Sequence, residues 1–184
     1  MRDMLDKLKL SSPNLLYASL TSISWLILSP AHRKVVIIPH GGYWLFYDLS
    51  SGLKLFATSP RDYTGRFSLS NVYERYFRVK GGTVIDAGAE LGGFTLSVAN
   101  RSDKVISIEP DPLNFHLLRW NVLINRLHNV VLIRTAHWNK KKKIPIYRSD
   151  KPGQHSLIYK YNKSHKVEVE ADTLDNIISE LDLK

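Results

Sequence analysis

The run Asp86-Ala87-Gly88-Ala89-Glu90-Leu91-Gly92-Gly93, with Glu109-Pro110 following downstream, combines residue types suited to holding a nucleotide. Gly88 lets a backbone approach a ligand closely, and Gly92 relieves crowding where a helix begins. A ligand placed there would lie against backbone N–H groups at a helix N-terminus, which suits a carboxylate or phosphate. Such a glycine turn is equally at home in ordinary loops. Glu109 adds weight, because it stands where dinucleotide-binding folds place an acid on the ribose hydroxyls.

Charge chooses between the two nucleotide cofactors this pattern admits. The nicotinamide fingerprint Gly-x-Gly-x-x-Gly is missing, and Asp86 occupies the place of its first glycine. An acid there is awkward beside a pyrophosphate but acceptable beside a cationic sulfonium and ammonium. The expected cofactor is therefore S-adenosylmethionine. Methyl transfer needs alignment and removal of an acceptor proton. His40, His137, His155 and His165 are bases without a surrounding motif, so the sequence names no catalytic residue. The chain has no cysteine, which excludes thiolate metal sites, disulfides and cysteine nucleophiles. No metal-ligating set is assigned.

These residues need elements to position them, and from Thr83 strands and helices alternate. The spacing predicts a strand at 83–87, a helix at 92–100, a strand at 104–108, a helix started by Asp111 and Pro112, and a strand at 130–133. Leu113, Leu117, Trp120, Ile124 and Leu127 predict one apolar face on the second helix, which Asn129 ends. Short apolar strands alternating with helices indicate a parallel sheet covered on both faces. A basic hairpin over 139–171 and a closing helix over 173–181, capped by Asp172 or Thr173, follow. The fold class is thus α/β, a Rossmann-like domain at 83–184 with an N-terminal extension at 1–82. That extension reads as helices at 2–10 and 14–28, a hairpin of 35–38 and 43–47 around a Pro-His-Gly-Gly turn, a strand at 53–57 and a short helix at 71–77.

The longest apolar stretch, Leu15 to Leu28, contains Ser19, Thr21, Ser22 and Ser24 and falls short of the roughly 20 apolar residues of a membrane span. It predicts a buried or interface-packed helix, no transmembrane segment and a cytoplasmic protein. The net charge of +9 is uneven: residues 139–166 hold nine Lys/Arg against Asp150 alone, and residues 1–82 hold eleven against five acids. Such segments can attract nucleic acid, although a solvated lysine-rich surface has the same composition.

The segments VIDAGAELGGFTLSVAN, VISIEPDPLNFHLLRWNVLIN, NVVLIRTAHWN and VEVEADTLDNI together resemble the FkbM family of S-adenosylmethionine-dependent methyltransferases. Glu109-Pro-Asp-Pro112 and Thr173-Leu-Asp175 are the most specific pieces, and the resemblance covers residues 71–184. It implies O-methyl transfer to a hydroxyl of a sugar or small metabolite. It also implies a cofactor-binding set of Asp86, Gly88, Ala89, Glu90, Gly92, Glu109, Pro110 and Ala136, with Glu109 on the ribose and Ala136 beside the adenine. Glu90 departs from the family's usual Asn and brings a further negative charge near the methionine moiety. The family continues into a strand that would pair with Thr83–Ala87, whereas this chain reaches Asp182-Leu183-Lys184 at that point. The resemblance therefore implies an incomplete sheet with an open edge.

Two other functions remain open. The Glu109-x-x-Pro112 strand end and the asparagines Asn121 and Asn125 of the following helix are also similar to tRNA-modifying methyltransferases, in which case the basic 139–166 segment would track phosphates. Alternatively the chain is a non-catalytic cofactor-binding module, completed by a second copy or a partner chain on the open edge.

Overall fold

Strands β1 (Val35–His40), β2 (Tyr43–Asp48) and β3 (Lys54–Ala57) form an antiparallel meander in order β1-β2-β3. They come from a computed structural model that describes residues 35–59, 78–148 and 165–181. The chain divides into two units, Met1–Ser68 and Leu69–Lys184, and the meander belongs to the first. Pro39 and His40 pair with Trp44 and Tyr43, so the β1–β2 turn is Gly41-Gly42 alone and not the expected Pro-His-Gly-Gly. Both glycines have positive φ, 55° and 86°, the conformation that closes a two-residue hairpin without splaying its strands. Val35, Ile37, Phe46 and Leu55 are buried. The helices expected at 2–10, 14–28 and 71–77 lie outside the described residues.

In the second unit β4 (Thr83–Ala87), α1 (Gly93–Ala99), β5 (Lys104–Ile108), α2 (Pro112–Ile124) and β6 (Val130–Ile133) build a parallel sheet in order β4-β5-β6. Side chains of β5 alternate between two layers. Val105 packs with Val98 and Ala99 of α1, while Ile106 and Ile108 pack with Ile177 of α3 (Leu174–Ser179). Helices thus cover both faces, as expected for a doubly wound Rossmann-like sheet. Among the described residues β4 pairs with β5 alone, so its other edge is open and Ile85 is 37% exposed. A second sheet, order β7-β9-β8, joins β7 (Ala136–His137) in parallel and β8 (Lys142–Arg148) antiparallel to β9 (His165–Asp172). The expected basic hairpin is its β8–β9 pair. Among the described residues no helix is long and apolar enough to cross a membrane.

Helix α2 departs from its expected face and length. It starts as predicted: Asp111 Oδ1 accepts from the Leu113 and Asn114 amides, with Pro112 in the first turn. Its buried stripe, however, is Asn114, Leu117, Leu118, Asn121 and Val122, and of the expected apolar set only Leu117 is fully buried. Two core positions carry asparagine, which a hydrophobic count reads as surface. The helix ends at Ile124, before the expected Asn129, because Arg126 adopts φ 54° and the Arg126 and Leu127 amides return to the Leu123 and Val122 carbonyls. This stop normally uses glycine, so the sequence conceals it. Asn129 instead donates to the Ala99 and Ser102 carbonyls at the end of α1.

Asn121 is fully buried, and its side-chain amide donates to the Leu91 carbonyl at 2.7 Å, pinning the glycine turn onto α2. Asn121→Leu keeps the branched shape, adds some volume and orphans that carbonyl. Urea unfolding is expected to show a loss of about 1–3 kcal/mol. A variant as stable as the parent would show that the amide is dispensable.

Candidate functional site

The β4–α1 turn and the end of β5 are bound together by backbone donors. The Gly88 and Ala89 amides both donate to the Ile108 carbonyl, at 2.8 and 3.0 Å. The Glu90 amide donates to Glu109 Oε2 at 2.8 Å, and the Asp111 amide donates to Glu109 Oε1 at 2.9 Å. Glu90 reaches this position with φ 50°, an uncommon conformation for a residue bearing Cβ. Glu109 is only 4% exposed, and burial, partly offset by the two amides, pushes its carboxyl up to about 7. A carboxylate has about four lone-pair sites, so two remain for a ligand.

Asp86 turns inward. Its Oδ2 accepts from the Thr95 amide and hydroxyl, and the Thr95 hydroxyl lies 2.7 Å from that of Ser107 on β5. Burial raises the Asp86 carboxyl above its usual range, against the lowering effect of the Thr95 bonds. Around the turn the amides of Gly88, Ala89, Glu90, Gly92 and Thr95 donate within the protein, so these five do not face a ligand. Open space lies instead above Gly88, where an added Cβ would meet nothing within 4 Å.

Beside Glu109, a cleft of about 220 Å³ is lined by Pro110, Pro112, Arg134, Lys143, Glu168 and Glu170. Three lysines of the basic run are engaged locally. Lys141 lies 3.2 Å from Asp172 and 3.6 Å from Glu180, Lys143 lies 3.4 Å from Glu170, and Lys142 sits over the Trp138 ring. Arg148 leaves this pattern and reaches Asp111 at 2.8 Å.

The structure therefore brings Gly88, Ala89, Glu90, Glu109 and Pro110 together, while Asp86 is held beneath them by Thr95. Gly92 lies against Leu118 of α2, and Ala136 is buried with Ile144, Ile146, Val169 and Ala171 in the second sheet. His137 and His165 are exposed, and His155 falls outside the described residues. His40 belongs to the first unit, its ring tilted 44° against that of Phe56 and its pKa lowered by burial. Sequence reasoning missed Thr95, Ser107 and Arg148, and it singled out Asn121 without its buried bond to the Leu91 carbonyl. Thr95, Ser107 and Asn121 are polar residues at core positions, and the Arg148 contact joins distant elements without local signal.

Comparison with known proteins follows the same segment. A curated relative, the probable ribosomal RNA small subunit methyltransferase A of Methanosphaera stadtmanae, is 35% identical over 52 residues, 28% of this chain and 19% of the relative. Among solved structures, a precorrin 8w decarboxylase from Methanobacterium thermoautotrophicum overlaps 36% of this chain and 37% of its own at 25% identity and TM-score 0.35. Methanocaldococcus jannaschii Trm5 in complex with adenosine overlaps 59% of this chain and 32% of its own at 21% identity and TM-score 0.36. The chain thus spans between 19% and 37% of the length of these relatives. The FkbM expectation is overturned by the family model that does match, and the hydroxyl of a sugar or small metabolite falls with it as acceptor. Over residues 64–143 the chain is similar to the TRM5/TYW2 methyltransferase domain.

Proposed function

We propose that this chain is the cofactor-binding core of an S-adenosylmethionine-dependent methyltransferase acting on RNA, with tRNA the first acceptor to try. The observation that carries the nucleoside part is Glu109, a buried carboxylate anchored by two amides beside the open space over Gly88. A ribose diol offers two O–H donors to the lone pairs still available. The family model over residues 64–143 and the name of the curated ribosomal RNA methyltransferase support RNA as the acceptor class.

When bound, S-adenosylmethionine supplies an activated methyl on a sulfonium, and the protein's contribution is alignment. Glu109 would orient the ribose, and the φ 87° backbone at Gly88 keeps side-chain bulk away from the nucleoside. Asp86 fixes the start of α1 through Thr95, so that the turn between them has one shape. Gly92, Glu90 and Pro110 complete the proposed frame around this pocket, while Ala136 packs within the second sheet.

The test has two stages with the 184-residue chain. Titration calorimetry should detect S-adenosylmethionine and S-adenosylhomocysteine, and labelled methyl should then transfer to unmodified tRNA or ribosomal RNA. No cofactor binding would remove the nucleoside reading; binding without transfer to either RNA would remove the acceptor. RNA affinity should also fall with salt. The pairs of Lys141 and Lys143 involve exposed lysines and are individually weak, so phosphates can replace their acidic partners. A log–log slope of about −3 is expected if some four phosphates are neutralised. A flat salt response would show that the basic run does not meet the backbone.

A further inference from the structure

Arg148, the last residue of β8, reaches out of its own sheet to the loop that carries Glu109. Its Nε lies 2.8 Å from Asp111 Oδ2, with the two side chains 29% and 1% exposed. Asp111 is a junction. Its Oδ1 accepts from the Leu113 and Asn114 amides at the start of α2, and its own amide donates to Glu109 Oε1. A single residue therefore stands between the guanidinium and the carboxylate proposed to hold the ribose. Removing one partner of an ion pair as buried as this one is costly, because the other charge is left without its counter-ion. Lys143 of the same strand and its partner Glu170 are both exposed, so that contact organises no buried group.

We propose that Arg148 is a positioning residue for nucleoside binding: through Asp111 it fixes the loop 109–111 so that the Glu109 carboxylate meets the ribose diol. This rests on the nucleoside reading of Glu109 given above. Charge acts along the same path. The charged groups facing Glu109 are Asp111 from its own loop and Glu90 from the β4–α1 turn, both of which push its carboxyl up after the larger effect of burial. Arg148 stands behind Asp111, and Arg134, Lys143, Glu168 and Glu170 line the adjoining cleft. Removing the guanidinium leaves Asp111 uncompensated and raises Glu109 further. Removing the charge of Asp111 lowers it.

The experiment is S-adenosylhomocysteine titration from pH 6 to 9 with the full chain and the variants Arg148→Gln, Arg148→Lys and Asp111→Asn. Arg148→Gln is expected to lose roughly tenfold in affinity at pH 7, with the midpoint of the pH dependence moved upward. Arg148→Lys should restore the midpoint, and Asp111→Asn should move it downward. A merely structural contact would not shift the midpoint in opposite directions. Unchanged affinity and midpoint in Arg148→Gln overturn the inference. If that variant does not fold, an unmoved midpoint in Asp111→Asn overturns it instead. A wild-type chain that binds no S-adenosylhomocysteine overturns the nucleoside reading itself, and this inference with it.

Discussion

Glu109→Gln is expected to weaken S-adenosylhomocysteine binding by roughly 10- to 100-fold at pH 8 and to flatten its pH dependence, as read by calorimetry across pH 5 to 8.5. In the unliganded chain burial holds the Glu109 carboxyl at about 7, so it is largely neutral at pH 6 and ionised at pH 8. Hydroxyl donors favour the ionised form, so bound nucleoside lowers that pKa and binding releases a proton. Wild-type affinity should therefore climb with pH and level off above about 7. Glutamine has no such titration, and its NH2 faces one of the two amides that Glu109 accepts. The same group sets a stability trend. Its folded pKa lies above the ordinary 4.5, so its contribution is fully present below pH 4.5 and lost as pH rises through about 7. This amounts to about 3 kcal/mol, measurable by urea unfolding of the unliganded chain. Equal pH profiles for wild type and Glu109→Gln would exclude the carboxylate from the binding step.

The parts of the fold that were legible are those built by local rules. Strands β4 and β5 occupy the predicted residues, and Asp111 with Pro112 starts α2 as predicted, because apolar runs and N-caps need only neighbours in sequence. The same locality misdirected the family assignment. In Glu109-Pro-Asp-Pro112, the Asp-Pro pair is a helix start, and Thr173 of Thr-Leu-Asp caps α3 by accepting from the Asn176 amide. Such pieces recur wherever a strand leads into a helix, so they mark an α/β chain more than one family. The non-local parts were hidden. Asn121 and Thr95 are polar residues in the core, satisfied by a carbonyl and a carboxylate distant in sequence, and no periodicity flags them. Asp86 looked like a ligand-facing acid from its place at a strand end, yet its partner Thr95 lies nine positions on, at the start of α1.

Gly92 and Gly88 share φ 87° but should fail in opposite ways when each is replaced by alanine. A Cβ at Gly92 would stand 2.5 Å from Leu118 Cδ1, so Leu118, fully buried in a cluster with Ala89 and Val122, would have to shift within the core. Steric overlap adds to the strain of a left-handed residue, so Gly92→Ala is expected to cost about 2–4 kcal/mol in urea unfolding. Pairing it with Leu118→Ala should return part of that loss, since the second change removes the clash while opening a cavity elsewhere. At Gly88 no atom lies within 4 Å of the added Cβ, which leaves backbone strain of about 1 kcal/mol. The methyl group would instead enter the space assigned to the nucleoside. Gly88→Ala should therefore fold nearly as well as the parent while binding S-adenosylhomocysteine poorly. If Gly88→Ala bound normally and only lost stability, the open space above the turn would not be the ligand's, and Glu109 would lose its role on the ribose.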